Sequence, residues 1–397
     1  MIDLTVHKRF RYLLFSSLYF SEGLYQAVIL IVTPIYLLNK NVPLPLITLI
    51  MGLGYLPWGL KFVWGGIIDF YHKYGRKKFA LFGTIFGGIG FLLLSIIDQY
   101  FSIIFFTIFL FLGYVGIGFL DSATDAWAID TTNKKDRGKI NGSMNIGKWA
   151  GQFIGALIII LIGTNYGYNV SFMITGLVII MLAFIPLAVK YEDRKIGKLN
   201  IWPLIKQEFR KRTTKLTTLY FFTIVLHPSL YFTLILIYLK TVLNFDDTFI
   251  GLIYAFWLVA VIPGSIIGGI LADKYGRKLP LYIFLIFLMI FSVTPIVISN
   301  VYIILLNFTI LLFFSNGVIA ANWAMIMDII NPKIGATEHE VICSTVNFGS
   351  IIIGSATGAL IVLLGFNNLF LLSAIIIVVA MIILYNIKNI DKIKWSS

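Results

Sequence analysis

Cysteine is almost missing from this chain. Cys343 stands alone, which excludes an internal disulfide and any cysteine-rich metal site. Charge is also scarce: 12% of the 397 residues are Asp, Glu, Lys or Arg, against about 25% in ordinary soluble domains. There are four histidines, and none has partners at metal-ligand spacing, so no metal site is expected. No Gly-x-x-x-x-Gly-Lys-Ser/Thr loop occurs to cradle phosphates, so the chain is not expected to hydrolyse ATP. No nucleophile–base pairing is identifiable either. Neither an enzymatic activity nor a cofactor is therefore expected.

Apolar residues are abundant. They make up 59% of the chain, and the mean hydropathy is +0.93. That excludes disorder, which needs low hydrophobicity. The apolar runs are long and continuous. A transmembrane β-barrel would show short alternating segments instead. A membrane helix takes roughly 20 apolar residues, so the length suits twelve helices, short loops and one longer linker. The pattern predicts helices over 10–38, 45–68, 79–98, 101–130, 141–164, 168–190, 217–240, 247–272, 280–299, 301–330, 341–364 and 367–387. The fold class is all-α, with two six-helix halves in the bilayer.

The net charge of +13 would suit a nucleic-acid partner, but the basic residues fall in loops between apolar spans. No nucleic acid is expected. Of the 31 Lys and Arg residues, 27 lie at the N-terminus, in the even-numbered loops or at the C-terminus. The opposite side holds Lys40 and Lys240, and the other two, Lys61 and Lys148, lie inside predicted helices. This asymmetry places both termini in the cytoplasm of a plasma or inner membrane. The basic start (Lys8, Arg9, Arg11) runs into an apolar stretch too long for a signal peptide, so no cleaved leader is expected. The halves span 1–190 and 217–397, joined by a basic linker, 191–216, that contains Arg210, Lys211 and Arg212. Residues Trp202 to Phe209 read as a helix on the membrane surface or as part of a solvated linker.

The segment Lys73-Tyr74-Gly75-Arg76-Lys77 recurs as Lys274-Tyr275-Gly276-Arg277-Lys278. Each copy follows a Gly-Gly pair (Gly65-Gly66, Gly268-Gly269) and an aspartate (Asp69, Asp273), between the second and third helix of its half. Two parallel six-helix repeats are the plan of the major facilitator superfamily. The second copy closely resembles that superfamily's loop signature, G-x-L-A-D-R-x-G-R-K. The first copy departs from it by three extra residues between Asp69 and Gly75. In each half the arginine is expected to meet an acid at the inner end of the fourth or tenth helix, Asp130 or Asp328.

Leu56-Pro57-Trp58-Gly59-Leu60-Lys61-Phe62-Val63-Trp64, followed by Asp69 and Gly75-Arg76-Lys77, resembles the bacterial muropeptide permeases and related acetyl-coenzyme A transporters. So do Asp121-Ser122-Ala123-Thr124-Asp125-Ala126, continued by Asp130 and Arg137-Gly138, and Gly335-Ala336-Thr337, where Glu338 replaces the family's glutamine. The resemblance implies uptake or exchange of a small organic solute by alternating access, with protons as the coupling ion. Candidate solutes are muropeptide-like, amino-sugar-like or acyl-coenzyme A-like. The alternatives are another major facilitator, for sugars, nucleosides or drugs, or a non-transporting receptor of the same fold. The expected partners are the solute, protons and the lipid bilayer, with the chain itself a monomer.

Ionisable groups inside a span are costly, by roughly 2.5–3.5 kcal/mol each on insertion scales, so each is a site candidate. They are Glu22, Lys61, Asp121, Asp125, Lys148 and His227. Asn141, Asn145, Lys148 and Gln152 share one helix face, as do Tyr19, Glu22 and Gln26, and Tyr114, Gly118, Asp121 and Asp125. Such faces should look inward. Reckoned by depth, Lys61, Lys148, Asp121 and Asp125 form one buried cluster, while Glu22 stands near mid-span with no lysine at its level. Asn316, Asn322 and Trp323, with Asn347 and Ser350, are candidates in the second half. The third, sixth, ninth and twelfth helices, the peripheral ones in the superfamily, carry no charge in their interiors. The topology reading has a direct check. A cysteine placed at Ser396 in a Cys343→Ser background should react with an impermeant maleimide only from the cytoplasmic side; labelling from outside would overturn it.

Overall fold

The computed structural model describes residues 2–3, 8–97, 102–132, 136–190, 202–330 and 335–387. The first part of the linker (191–201) and the basic residues Lys134, Lys135, Lys333, Lys388, Lys392 and Lys394 lie outside the described residues. Among the described residues, 11 helices are long and apolar enough to cross a membrane. The first ten are α1 (Arg9–Asn39), α2 (Leu44–Phe70), α3 (Arg76–Ile97), α4 (Ile103–Thr131), α5 (Lys139–Tyr166), α6 (Tyr168–Leu187), α7 (Arg212–Thr241), α8 (Asp247–Tyr275), α9 (Lys278–Ile296) and α10 (Val301–Ile329). The last, Val341–Asn386, runs for 46 residues, far beyond the roughly 20 that cross a bilayer. It is two spans, because Gly365 takes a non-helical φ of 76° and turns the chain. These spans are α11 (341–364) and α12 (366–386), so the expected loop 365–367 narrows to Gly365. The short helix Trp202–Glu208 lies in the linker.

The chain forms two compact units. The first holds Met1–Gly197 and Phe245–Ala255, and the second holds Lys198–Asn244 and Phe256–Ser397. Phe245–Ala255 opens α8 and is tied into the first unit. Asp247 accepts hydrogen bonds there from Asn39 Nδ2 at 2.5 Å and from the Tyr168 hydroxyl at 3.0 Å. The outer surfaces of α3 and α12 are apolar: Phe82, Ile85 and Ile89 on α3, and Ile375, Val379 and Ile382 on α12, are exposed. That is the surface expected of helices turned toward lipid.

Three helices depart from the regular spans expected. α2 breaks at Leu60 into Leu44–Gly59 and Lys61–Phe70. Pro57 lies one turn before the break, where a proline ring removes a helix hydrogen bond and crowds the preceding turn. α1 and α5 each contain a π turn, Val28–Val32 and Gly155–Ile159. α6 stops at Leu187, short of the expected 190, just after Pro186. Val189–Lys190 instead forms β2, paired in parallel with β1 (Ile2–Asp3). Lys77 Nζ donates to the Val189 carbonyl and holds this strand.

The repeated loops fold alike. Gly75 and Gly276 take φ values of 84° and 82°, a region that side chains rarely enter. The three extra residues of the first copy are absorbed by the 3-10 turn His72–Tyr74. Arg76 meets Asp69 at 2.6 Å and Asp130 at 3.6 Å. Arg277 meets Asp273 and Asp328, each at 2.6 Å. The hydrogen bond to Asp328, supported by Asp273, holds the Arg277 guanidinium above its ordinary value, so it stays charged. Gly276→Ala should lower stability by about 1 kcal/mol, because a Cβ is strained at positive φ. A denaturation midpoint equal to wild type would show that the turn relaxes without cost.

Candidate functional site

The site begins with how closely α1 and α5 approach. A Cβ added at Gly23 would overlap the Lys148 carbonyl, and one at Gly151 would overlap the Phe20 carbonyl. Glycine at these positions lets the two backbones touch. The contact brings Glu22 level with Lys148, and Lys148 Nζ stands 2.7 Å from Glu22 Oε1. The depth reckoning that left Glu22 without a lysine is therefore corrected. It counted residues along each helix without the glycine contact that sets their relative height. One turn further, Gln152 Nε2 donates to Gln26 Oε1. The π turns of both helices follow at once.

The break in α2 supplies the second pair. Trp64 Nε1 donates to the Pro57 carbonyl at 2.7 Å, beside the Leu60 N–H that the same carbonyl accepts at 3.2 Å. Lys61 opens the inner segment of α2 and forms an ion pair with Asp121 on α4. Trp58 lies between the two pairs: its ring centroid is 4.9 Å from Lys61 Nζ and 5.1 Å from Lys148 Nζ. Two ammonium groups thus share one indole, a favourable cation–π arrangement. Asp125 accepts from the Tyr19 hydroxyl.

The structure therefore brings Lys61, Lys148 and Asp121 together, as expected, and adds Glu22 to them. Asp125 differs, in that a tyrosine serves it. Trp58 was legible only as part of a motif. The signal for its role is an aromatic three residues before a lysine on the same interrupted helix.

Burial within each pair is unequal. The Glu22 and Asp121 side chains are each 2% exposed, while Lys148 and Lys61 are 24% and 16% exposed. Lysines thus stand in front of acids. Among the described residues Glu22 Oε2 has no hydrogen-bond partner. Asn145 is exposed on α5, and its Nδ2 donates to the Asn141 carbonyl at 3.0 Å.

The candidates of the second unit do not form such a cluster. His227 is fully buried in α7, its Nε2 2.8 Å from Ser292 Oγ on α9, with its ring stacked on Tyr231. Asn322 accepts from the Tyr220 hydroxyl at 3.0 Å. Trp323 lies against Phe221 and against His339 of the helix that leads into α11. Asn347 is half-buried in α11, near Ser350, whose hydroxyl accepts from Ser229 at 2.9 Å. Asn316 is spent on the Leu312 carbonyl of its own helix.

Solved structures of similar fold cover nearly all of the chain. A bacterial homologue of the human lysosomal transporter Spinster, in an inward-facing and unoccupied conformation, superposes with a TM-score of 0.80 at 14% identity, over 98% of each chain. A D-xylose–proton symporter superposes at 0.73 with 12% identity, over 98% of this chain and 100% of that one. The nucleoside transporter NupG superposes at 0.75 with 13% identity, over 95% and 100%. Identities this low speak to the fold. The sequence itself matches the model of the Major Facilitator Superfamily over residues 15–337 and again over 216–392. With two copies of the loop turn and twelve spans, this multi-pass membrane protein belongs to the major facilitator superfamily.

Proposed function

We propose that the chain is a secondary active transporter that moves a small organic solute by alternating access, coupled to protons through Glu22. The observation that carries this reading is the Glu22–Lys148 pair, a carboxylate 2% exposed whose one ion pair among the described residues is with Lys148. Burial favours the protonated acid and the lysine favours the ionised one. A carboxylate balanced between the two suits a proton carrier. Lys61, Asp121, Asp125, Gln26 and Gln152 complete the site in the first unit. Asn145, Asn322, Trp323 and Asn347 are offered as solute contacts, and His227 as a buried support in α7.

The solute class rests on resemblance. The Pro57-to-Trp64 run, which builds the break in α2, resembles the muropeptide permeases and acetyl-coenzyme A transporters. Muropeptide-like, amino-sugar-like and acyl-coenzyme A-like compounds are therefore the first candidates. Among the structural neighbours a D-xylose–proton symporter and a nucleoside transporter support a wider panel of sugars and nucleosides. The loop residues Asp69, Gly75, Arg76 and Asp130, with Asp273, Gly276, Arg277 and Asp328, are proposed to bias the conformational cycle. The reading places a monomer in the plasma membrane with both termini in the cytoplasm, as the lysine asymmetry supports.

The test is a melting screen of purified protein against anhydro-muropeptides, amino sugars, coenzyme A thioesters, xylose and nucleosides, followed by flux in liposomes with the best binder. A true solute should stabilise the protein by about 2.7 kcal/mol at a hundredfold excess over its Kd. Glu22→Gln should keep that binding and abolish proton-driven accumulation. Proton-coupled uptake by the variant at the wild-type rate would exclude Glu22 as the carrier.

A further inference from the structure

The corner between the linker helix (Trp202–Glu208) and α7 concentrates charge of one sign. Lys206, Arg210, Lys211, Arg212 and Lys215 crowd into one short stretch, with Glu208 as its one acid. The chain turns tightly there: the Arg210 and Lys211 amides donate to the Gln207 and Glu208 carbonyls at 3.3 and 3.0 Å. Glu208 is 5% exposed, and Lys211 meets it at 2.7 Å. The acid is thus turned inward and neutralised within the corner. Lys206, Arg210, Arg212 and Lys215 are all exposed, and among the described residues none of the four makes an ion pair.

Cations elsewhere in the chain are spent inside the fold. Arg76 and Arg277 each meet two aspartates. Arg11 donates to the Thr131 carbonyl at 2.6 Å, and Lys73 and Lys78 lie over the Tyr74 ring. The linker corner instead keeps four cations for which the fold has no use. α7 adds to their field, since its first turn carries no acid and Lys211 at its N-cap makes no side-chain capping bond. Cations at the N-terminus of a helix are unfavourable by themselves, so an anion from outside the chain relieves both the side chains and the helix end.

The height of these cations identifies that anion. The mostly apolar run Leu219–Leu239 of α7 is already long enough to cross a bilayer, for which roughly 20 residues suffice. Lys215 and Arg212 stand one and two turns outside it, about 6 and 10 Å along the helix. That is the level of the lipid phosphates, and Lys206 and Arg210 lie just beyond the same corner. We propose that this corner binds the phosphate headgroups of anionic phospholipids in the leaflet beside it. The four cations lie within about one Debye length, roughly 10 Å, of the phosphate layer, so the membrane meets them before any dissolved anion does. A zwitterionic lipid carries its own cation in the headgroup and gains little from the corner. The contact ties the second half of the linker to the membrane surface.

This inference rests on the chain being a membrane protein and is independent of the transport reading. Purified full-length protein in neutral detergent is titrated with phosphatidylglycerol or phosphatidylcholine, and retained lipid is counted by native mass spectrometry. Phosphatidylglycerol should bind about tenfold tighter, and the preference should shrink as salt rises. The variant Lys206→Gln, Arg210→Gln, Arg212→Gln, Lys215→Gln should lose the preference. The variant Lys73→Gln, Lys78→Gln, Lys274→Gln, Lys278→Gln removes as many charges elsewhere and should keep it. If the first variant fails to fold, the pairs Lys206→Gln with Lys215→Gln and Arg210→Gln with Arg212→Gln should each weaken the preference about threefold. Replacing Arg210 and Arg212 by lysine should preserve it. Equal binding of the two lipids, or an equal loss in both fourfold variants, overturns the proposal. So does competition by polyglutamate or glycerol phosphate as strong as that by phosphatidylglycerol, which would make the partner a dissolved anion.

Discussion

An ion taken into the low-dielectric interior of a membrane protein must bring its counter-ion with it, and the first unit is organised around that requirement. Removing one partner from a buried pair costs about 3–5 kcal/mol, so the two pairs stand or fall with the geometry that aligns them. For Glu22 and Lys148 that geometry is the backbone contact at Gly23 and Gly151. For Lys61 and Asp121 it is the interruption of α2 at Leu60, which starts a new helical segment at the lysine. Trp58 joins the pairs by offering one ring to both cations. Helix packing, helix breaking and aromatic placement thus serve one electrostatic condition.

The repeated loops solve a different problem twice. Each carries an arginine between two carboxylates, one on its own turn and one at the inner end of α4 or α10. The copies differ by three residues in length, and the longer one folds the excess into a single turn before reaching the same positive-φ glycine. The shared element is therefore the glycine-arginine turn. Spacing to the aspartate can drift while the charge contacts persist.

Much of this was legible in the sequence because membrane physics leaves few choices. Long apolar runs mark the spans, basic loops mark one side, and rare charges mark the site. Lys61, Asp121 and Lys148 could be grouped from spacing alone. The pairing could not, since relative helix height depends on a contact between α1 and α5 that neither helix encodes by itself. Counting residues along each helix leaves Glu22 without a lysine for that reason. The break at Leu60 follows a visible proline, yet a proline kinks some helices without dividing them. The π turns left no readable mark: Val28–Val32 is an ordinary apolar run in composition. The turn from α6 into β2 depends on a strand partner at residues 2–3, too distant in sequence for any local pattern.

Those π turns carry a consequence for how the gene can change. A π turn closes its hydrogen bond over one residue more than an α turn, so it behaves as an accommodated insertion. Loss of one residue within Val28–Val32 or Gly155–Ile159 lets the helix revert to plain α geometry, with the flanking faces still aligned. Loss of one residue elsewhere in α1 or α5 turns every later side chain by about 100° and carries it off its face. The two helices that hold the central ion pair thus each contain one short stretch where length can change by a codon without disturbing Glu22, Gln26, Lys148 or Gln152.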